Sequence, residues 1–578
     1  MSEIITENLE LWTSALLVKS TAGRGSNGKQ GAYGIQKLRE LILELAVRGK
    51  LVPQDPSDEP AKGLLEQIAE QKARLIAEGK IGNSRPLPAI DVAEIPFEIP
   101  DQWEWVRLGD LGEVFNGNSI SKRVKEAKYT NIKGGLPFIA TKDVGYGWQG
   151  LDYENGVSIP DKESNFKVAH KGAVLICAEG GSAGKKCGIT DRDICFGNKL
   201  YALEPYVDIA PDFLLANYLE PTFFAQFSAK MTGIIGGISL AKFKQLLIPL
   251  PSASEQRRIV AKVSELMSLC DQLEQQQTHS IETHQTLVET LLGMLASVSS
   301  PQELTVAWSG IGDLFDILFT TEQSIDQLKQ VVFQLAVMGM LVPQDQREES
   351  AAQLVRRIHE DNQGRKPKAE VVDEFPFSIP PGWSVTKLGS ILNPHRGISY
   401  GVIKLGAEPA NGGVNILRCS NVRFREIDLT GIRKITEELS AEYGRTILQG
   451  GEVLINVRGT LGGCAVVPQS MKGFNIAREV AVVPVHSELN PDYLLNVIAA
   501  PYFQNKVSEN LRGIAYEGLN LGLLREFLVP IPPAAEQQRI VAKVNELITL
   551  CDTLKSRLTD AQATQVHLAD AIVEQAVA

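Results

Sequence analysis

The sequence predicts a mixed α/β protein built twice: two globular α/β domains separated by long antiparallel coiled-coil helices, with an internal pseudo-twofold repeat. Three observations carry this. Residues 255–273, Glu-Gln-Arg-Arg-Ile-Val-Ala-Lys-Val-Ser-Glu-Leu-Met-Ser-Leu-Cys-Asp-Gln-Leu, return almost unchanged at 536–554. The box Leu45-Ala-Val-Arg-Gly-Lys-Leu-Val-Pro-Gln54 returns as Leu335-Ala-Val-Met-Gly-Met-Leu-Val-Pro-Gln344. Between each of Trp103 and Trp383 and the repeated helix that follows lie short β-type runs broken by glycine, the pattern of an α/β domain.

In chain order, residues 1–94 form an N-terminal helical region that pairs with the C-terminal helix. An apolar segment around Leu11–Val18 leads into a Gly/Ser-rich loop, Thr21–Gly34. A helix from Gln36 ends at Gly49, which fits a left-handed C-terminal cap. A charged helix, 61–78, and a polar linker follow. The first α/β domain spans 95–250, entered through Ile99-Pro-Asp-Gln-Trp103, whose prolines impose an extended path. Trp103 and Trp383 are expected to be core anchors rather than stacking platforms. Residues 251–374 form a central helical spacer, 375–532 the second α/β domain, and 533–578 the C-terminal helical spacer. In the repeated helices Ile259, Val263, Leu266, Cys270 and Leu273, and Ile540, Val544, Leu547, Cys551 and Leu554, step by four and three, as an a/d seam does. The stripe lapses at Gln277, Ser280 and His284 and resumes at Leu287, Leu291 and Leu295. Ser252 with Glu255 fits a capping box at the start of the first helix.

The net charge of −11 is unevenly spread. Residues 101–250 are close to neutral, 381–530 carry about +2, and the mostly helical remainder carries about −13. Local fields decide binding to nucleic acid, so the total does not exclude it. The apolar runs are too short for a membrane span, and the acidic N-terminus lacks a secretory lead. Seven cysteines without paired spacing suit a reducing cytoplasm, and no metal site is expected. Gly180-Gly-Ser-Ala-Gly-Lys-Lys186 fails as a phosphate loop, because Glu179 stands where the first glycine belongs and Lys186 where Ser or Thr belongs. Cys177, Cys187 and Cys195 are expected to lack counterparts in the second half.

The duplicated boxes, the Ile99-Pro-Asp-Gln-Trp103 entry and the twice-occurring Pro-x-x-x-Glu-Gln-x-Arg-Ile-Val-Ala-Lys-Val helix resemble the specificity subunit of type I restriction–modification enzymes over nearly the whole length. The resemblance implies two target-recognition domains, each reading half of a bipartite double-stranded DNA sequence. It also implies helices that set the spacer and dock two methyltransferase subunits, and a complex able to recruit restriction/translocase subunits. No catalytic residue and no cofactor are then expected in this chain; the assembled complex would use S-adenosylmethionine, and ATP with magnesium for restriction. Divergence between the two domains predicts an asymmetric target. Residues 1–35 and 299–325 exceed the usual length of the family. A scaffold gripping proteins instead of DNA is the rival reading.

Base edges are read by Arg, Lys, Asn, Gln, Asp or Glu, and phosphates by cations. On that chemistry the DNA-binding candidates in the first domain are Lys122, Arg123, Lys142, Asp143, Trp148, Lys185 and Lys186. In the second they are Arg418, Asn421, Arg423 and Arg458. Arg425 is a further candidate in the second domain, Lys125 joins the basic cluster of Lys122 and Arg123, and Ser239 and Asn520 sit in matching turns before the long helices; a solvated-surface or turn role is the alternative for each.

Overall fold

The computed structural model describes residues 2–18, 30–82, 85–132, 134–233, 236–362, 375–459, 462–512 and 519–577. Most of the expected loop at Thr21–Gly34, the polar linker 363–374 and parts of the turns 233–240, 459–463 and 513–521 lie outside them. The chain divides into two compact units, Met1–His279 with Gln562–Ala578, and Ser280–Ala561. Each long helix, Ala253–Ala296 and Ala534–Val577, contributes residues to both.

In the first unit, helix Tyr33–Val47 lays Ile35, Leu38, Leu41, Ile42 and Leu45 against Ile259, Val263, Leu266 and Cys270 of the first long helix and against Ala569 and Ala576. Tyr33 donates to Asp570 at 2.7 Å and the Lys50 ammonium to the Val577 carbonyl at 3.1 Å. The N-terminal helix is therefore joined to the C-terminal one. Residues 1–35 are more structured than the composition suggested: helices Ser2–Glu7 and Leu9–Ser14 bury Ile5 and Trp12 in the same core.

The α/β portion of this unit holds an antiparallel sheet in the order Gly112–Asn116, Leu200–Pro205, Val174–Cys177, Cys187–Ile189. A second sheet runs Ser158–Ile159, Leu136–Ile139, Ile194–Phe196, Val168–Ala169, with its central pair parallel. The chain crosses from one sheet to the other at residues 197–199. Strand Glu104–Arg107 pairs with Leu247–Leu250, so the entry and exit of the domain are stitched together.

The second unit repeats this plan. Ser399–Tyr400, Val480–Val483, Val453–Asn456 and Cys464–Val466 form one sheet; Arg433–Ile435, Val414–Leu417 and Asn475–Ile476 form the other, again with a parallel pair. Helix Glu322–Val337 takes the place of Tyr33–Val47. Its Ile325, Leu328, Val331 and Leu335 meet Val288, Leu292 and Leu295 together with Cys551, while Ile540 and Val544 enter the core beneath Phe333 and Val337. Leu273, Leu547 and Leu554 are half-buried at the edges of these cores. Residues 299–325 include helices Pro301–Gly312 and Phe315–Leu318.

Two local expectations need correction. The resumed stripe of the first long helix is Val288, Leu292 and Leu295, whereas Leu287 is 41% exposed. A helix of 3.6 residues per turn drifts about 20° per heptad, and over four heptads this shifts the buried phase by one residue. The capping box is half formed. The Ser252 hydroxyl accepts the Glu255 N–H at 3.1 Å, but the Glu255 carboxylate turns away to other partners. Among the described residues no helix is long and apolar enough to cross a membrane.

Candidate nucleic-acid interface

The recurring boxes meet in space. The Trp103 indole donates to Glu255 at 2.8 Å, and the Gln54 amide donates to the other carboxylate oxygen. In the second unit Trp383 donates to Glu536 at 3.1 Å and Gln344 at 3.0 Å. Gln256 and Gln537, one residue on, each accept a backbone N–H, from Ala210 and Asn490, both at 3.0 Å. Arg258 pairs with Asp58, and Arg539 with Glu348. Gly49 and Gly339 stand at φ +68° and +69°, where a Cβ would lie 2.5 and 2.4 Å from Pro100 and Pro380. Both glycines are thus required by backbone conformation and by close approach. Each knot locks helix, domain entry and domain exit together.

Away from each knot, four strand ends converge on one pole of the α/β domain. In the first domain Asn118 N–H donates to the Phe196 carbonyl at 2.8 Å, Gly197 to Ile139 at 2.9 Å, and Ala178 to Lys199 at 2.8 Å. In the second, Val402 donates to Ile476 at 2.8 Å, Ala477 to Leu417 at 2.8 Å, and Val457 to Glu479 at 2.9 Å. A Cβ on Gly117 would lie 2.0 Å from the Phe196 oxygen, and one on Gly401 1.9 Å from the Ile476 oxygen. The two poles are therefore one backbone frame with different side chains.

The sequence-nominated residues fall into three groups. Lys122 and Arg123 are exposed on the short helix Lys122–Lys128, which starts a few residues beyond the pole and adds Lys125 and Lys128 against the lone Glu126. Lys142 is also exposed, at the pole itself. Lys185 and Lys186 lie over the rings of Phe224 and Tyr146 at 5.9 and 5.0 Å. Arg458 is half-buried one residue past Val457.

A second group is structural. Asp143 is buried and its carboxylate accepts the Ala140 N–H at 2.9 Å; Asn421 is buried and accepts the Arg418 N–H at 3.0 Å. The two occupy one register position as braces of the same turn, so neither can reach a base. Ser239 and Asn520 are likewise helix caps, accepting from Lys242 and Gly522.

The third group is engaged in packing or pairing. Trp148 packs against the cores beneath it and lines a groove of about 350 Å³ with Val260, Ser264 and Met267 of the first long helix. Arg418 donates to the Gly431 carbonyl at 3.1 Å and Arg423 pairs with Asp428. Arg425 adopts φ +62°, the conformation of its counterpart Gly147, and donates to Asn545 at 2.9 Å.

Comparison with known proteins decides the family. The model of the type I restriction modification DNA specificity domain matches residues 100–283 and again 380–561. The chain belongs to that family. It is 35% identical to the type I restriction enzyme EcoAI specificity subunit of Escherichia coli and 33% identical to the EcoEI specificity subunit of the same organism. Both alignments cover all of each chain. The EcoBI specificity subunit of Escherichia coli is 22% identical over 83% of this chain and 86% of its own.

In this specificity-family chain the two matched segments contain one pole each. Cys187 has a counterpart after all, since it faces Ile176 as Cys464 faces Ile455. Burial pushes both thiols up to about 12, so they are protonated, apolar fillers at neutral pH. Among the described residues no group of three or more His, Cys, Asp or Glu could hold a metal ion. The pole residues Glu179, Asn198, Lys199, Arg478 and Glu479 were missed in the sequence. Aligning the halves on Val174-Leu-Ile-Cys and Val453-Leu-Ile-Asn, then reading just past each strand, would have found them.

Proposed function

We propose that this chain is the non-catalytic DNA specificity subunit of a type I restriction–modification complex, and that each α/β domain reads one half of an asymmetric, bipartite duplex target. The observation that carries the reading is the duplication of one frame bearing two unlike poles. Recurring knots with divergent reading ends suit two heads doing the same task on different sequences. The exposed cations of the helix Lys122–Lys128 supply sequence-independent phosphate contacts beside the first head. The long helices carry two methyltransferase subunits and fix the unread spacer. The restriction subunits join through that complex, in the cytoplasm, and the chemistry resides in the partners.

The test is genome-wide methylation mapping in a host given this chain and its cognate methyltransferase subunit. A two-part, asymmetric methylated motif that disappears without this chain is the expected result. A palindromic or continuous motif would sink the two-head model. No new motif from an assembled complex, without salt-dependent binding to duplex DNA, would favour the protein scaffold.

A further inference from the structure

The pole of each domain is built from four separate strand ends, and the backbone bonds that hold those ends are the same in both domains. Strand ends fixed by a sheet are stiffer mounts than free loops, which is what reading a base edge requires. At the frame positions the residue kind is retained: Gly117 answers Gly401, Ile139 answers Leu417, and Ala178 answers Val457. One residue further out it is not. Glu179 occupies the position of Arg458, Lys199 that of Glu479, and Asn198 that of Arg478. Both charges are reversed between the halves, and a neutral amide is exchanged for a guanidinium.

A structural task shared by the two domains would keep these side chains alike, as Asp143 and Asn421 are alike. Nor do they serve one another. Glu179, Asn198, Lys199 and Arg478 are exposed, and among the described residues none of the six is in an ion pair with another. Glu479 has one carboxylate oxygen buried and without a hydrogen-bond partner among the described residues. Among the described residues, these groups carry specific hydrogen-bonding capacity that no neighbouring side chain takes up. Their types are those that distinguish base pairs in the major groove: Glu accepts from cytosine N4, Asn pairs with adenine, and Arg and Lys bind guanine O6 and N7.

We infer that sequence discrimination resides at these poles, with Glu179, Asn198 and Lys199 reading one half-site and Arg458, Arg478 and Glu479 the other. This rests on the DNA-specificity reading above and assigns the residues that perform it. The charge reversal makes the two half-sites unlike: positions read by acceptor and amide in the first are read by guanidinium in the second. The basic helix Lys122–Lys128 contributes affinity without choice.

The experiment first maps the motif of the wild-type complex. It then measures binding of the full complex, with its methyltransferase subunits, to the cognate duplex and to duplexes carrying single base-pair changes in either half. Glu179→Gln is expected to lower discrimination at a position of the first half-site by about 5- to 150-fold, the range of one specific base contact, and to leave the second half intact. Arg458→Gln should do the converse. Lys122→Ala with Arg123→Ala should weaken all duplexes alike and leave the ratios unchanged. Discrimination within twofold of wild type at every position in both pole variants would overturn the inference. So would equal loss across both half-sites from a single pole variant. A wild-type complex with no bipartite motif would instead refute the specificity reading itself, so the two failures are distinguishable.

Discussion

Glu255 and Glu536 show how much one residue can organise. Each carboxylate is buried and accepts hydrogen bonds from an indole and a primary amide brought from far away in the chain. Glu255→Ala leaves one buried donor, the Trp103 indole N–H, without an acceptor, at a cost of about 1–3 kcal/mol, whereas the exposed Gln54 amide keeps the Gly49 carbonyl. Urea unfolding should therefore show destabilisation of about 1–3 kcal/mol, with Glu536→Ala similar. Burial is the largest influence on both carboxyls and raises them above the ordinary 4.5, against the downward pull of their hydrogen-bond donors. A raised folded value means the native state holds the proton more tightly than the unfolded chain. The stability this contributes is complete below the unfolded value and is lost as pH rises through the folded one. Glu536→Gln cannot titrate. The stability of wild type relative to this variant should therefore fall as pH climbs from about 4.5, and should then level off. A difference independent of pH across that window would show that the glutamate is not desolvated as the structure has it.

At the scale of elements, the seam positions are not equivalent although the sequence repeats. Leu266 is 5% exposed in the core of the first unit, whereas Leu547 is half-buried and Val544, one turn earlier, is fully buried. Leu266→Asp and Val544→Asp should each cost several kcal/mol by burying an unpaired carboxylate, and Leu547→Asp distinctly less. Thermal melts of the three variants order them; equal losses would mean the seam is buried uniformly. The short helix Lys122–Lys128 makes a different prediction. Replacing its four cations by Ala should reduce the slope of log K against log salt by about 0.9 for each phosphate the helix no longer neutralises, leaving the methylated motif unchanged. An altered motif would place this helix among the readers. The boxes that build the knots were legible in the sequence because they recur in the same order, with 152 residues from Trp103 to Glu255 and 153 from Trp383 to Glu536. The indole–carboxylate contacts between them were not, since Glu255 also fits a local capping box. The poles were not legible. Their residues come from strands remote in the chain, and the property that marks them is a difference between the halves, which a search for likeness passes over. Asp143 and Asn421 misled for a related reason: a polar residue interrupting an apolar run is as well explained by a turn brace as by an exposed reader.

For the whole molecule, the decisive property is that each unit is assembled from discontinuous segments in the same way. The first unit takes residues 562–578 from the end of the chain, and the second takes residues 280–296 from the end of the first long helix. The ends of this sequence fall after the second long helix and before the helices that precede Tyr33. The equivalent point in the middle falls between Ala296 and Pro301. A circular permutant with a flexible linker joining Ala578 to Met1, and new ends opened between Ser299 and Ser300, keeps every segment of both units and only exchanges their order in the chain. It breaks no helix, since Ser299 and Ser300 lie between Ala296 and Pro301, and both are outside the buried core. It does sever the Glu303 carboxylate's bond from the Ser299 N–H, an exposed contact at the new terminus. The permutant should fold with a melting temperature within a few degrees of wild type, since an exposed hydrogen bond contributes about 1 kcal/mol. With its methyltransferase partner it should methylate the same two half-sites at the same spacing. A permutant that folds and assembles yet methylates a different spacing would show that chain order, and not the assembled units, sets the distance between the reading heads. One that fails to fold, while Ser299→Ala and Ser300→Ala are stable, would show that the covalent path through the central segment is needed to build the units.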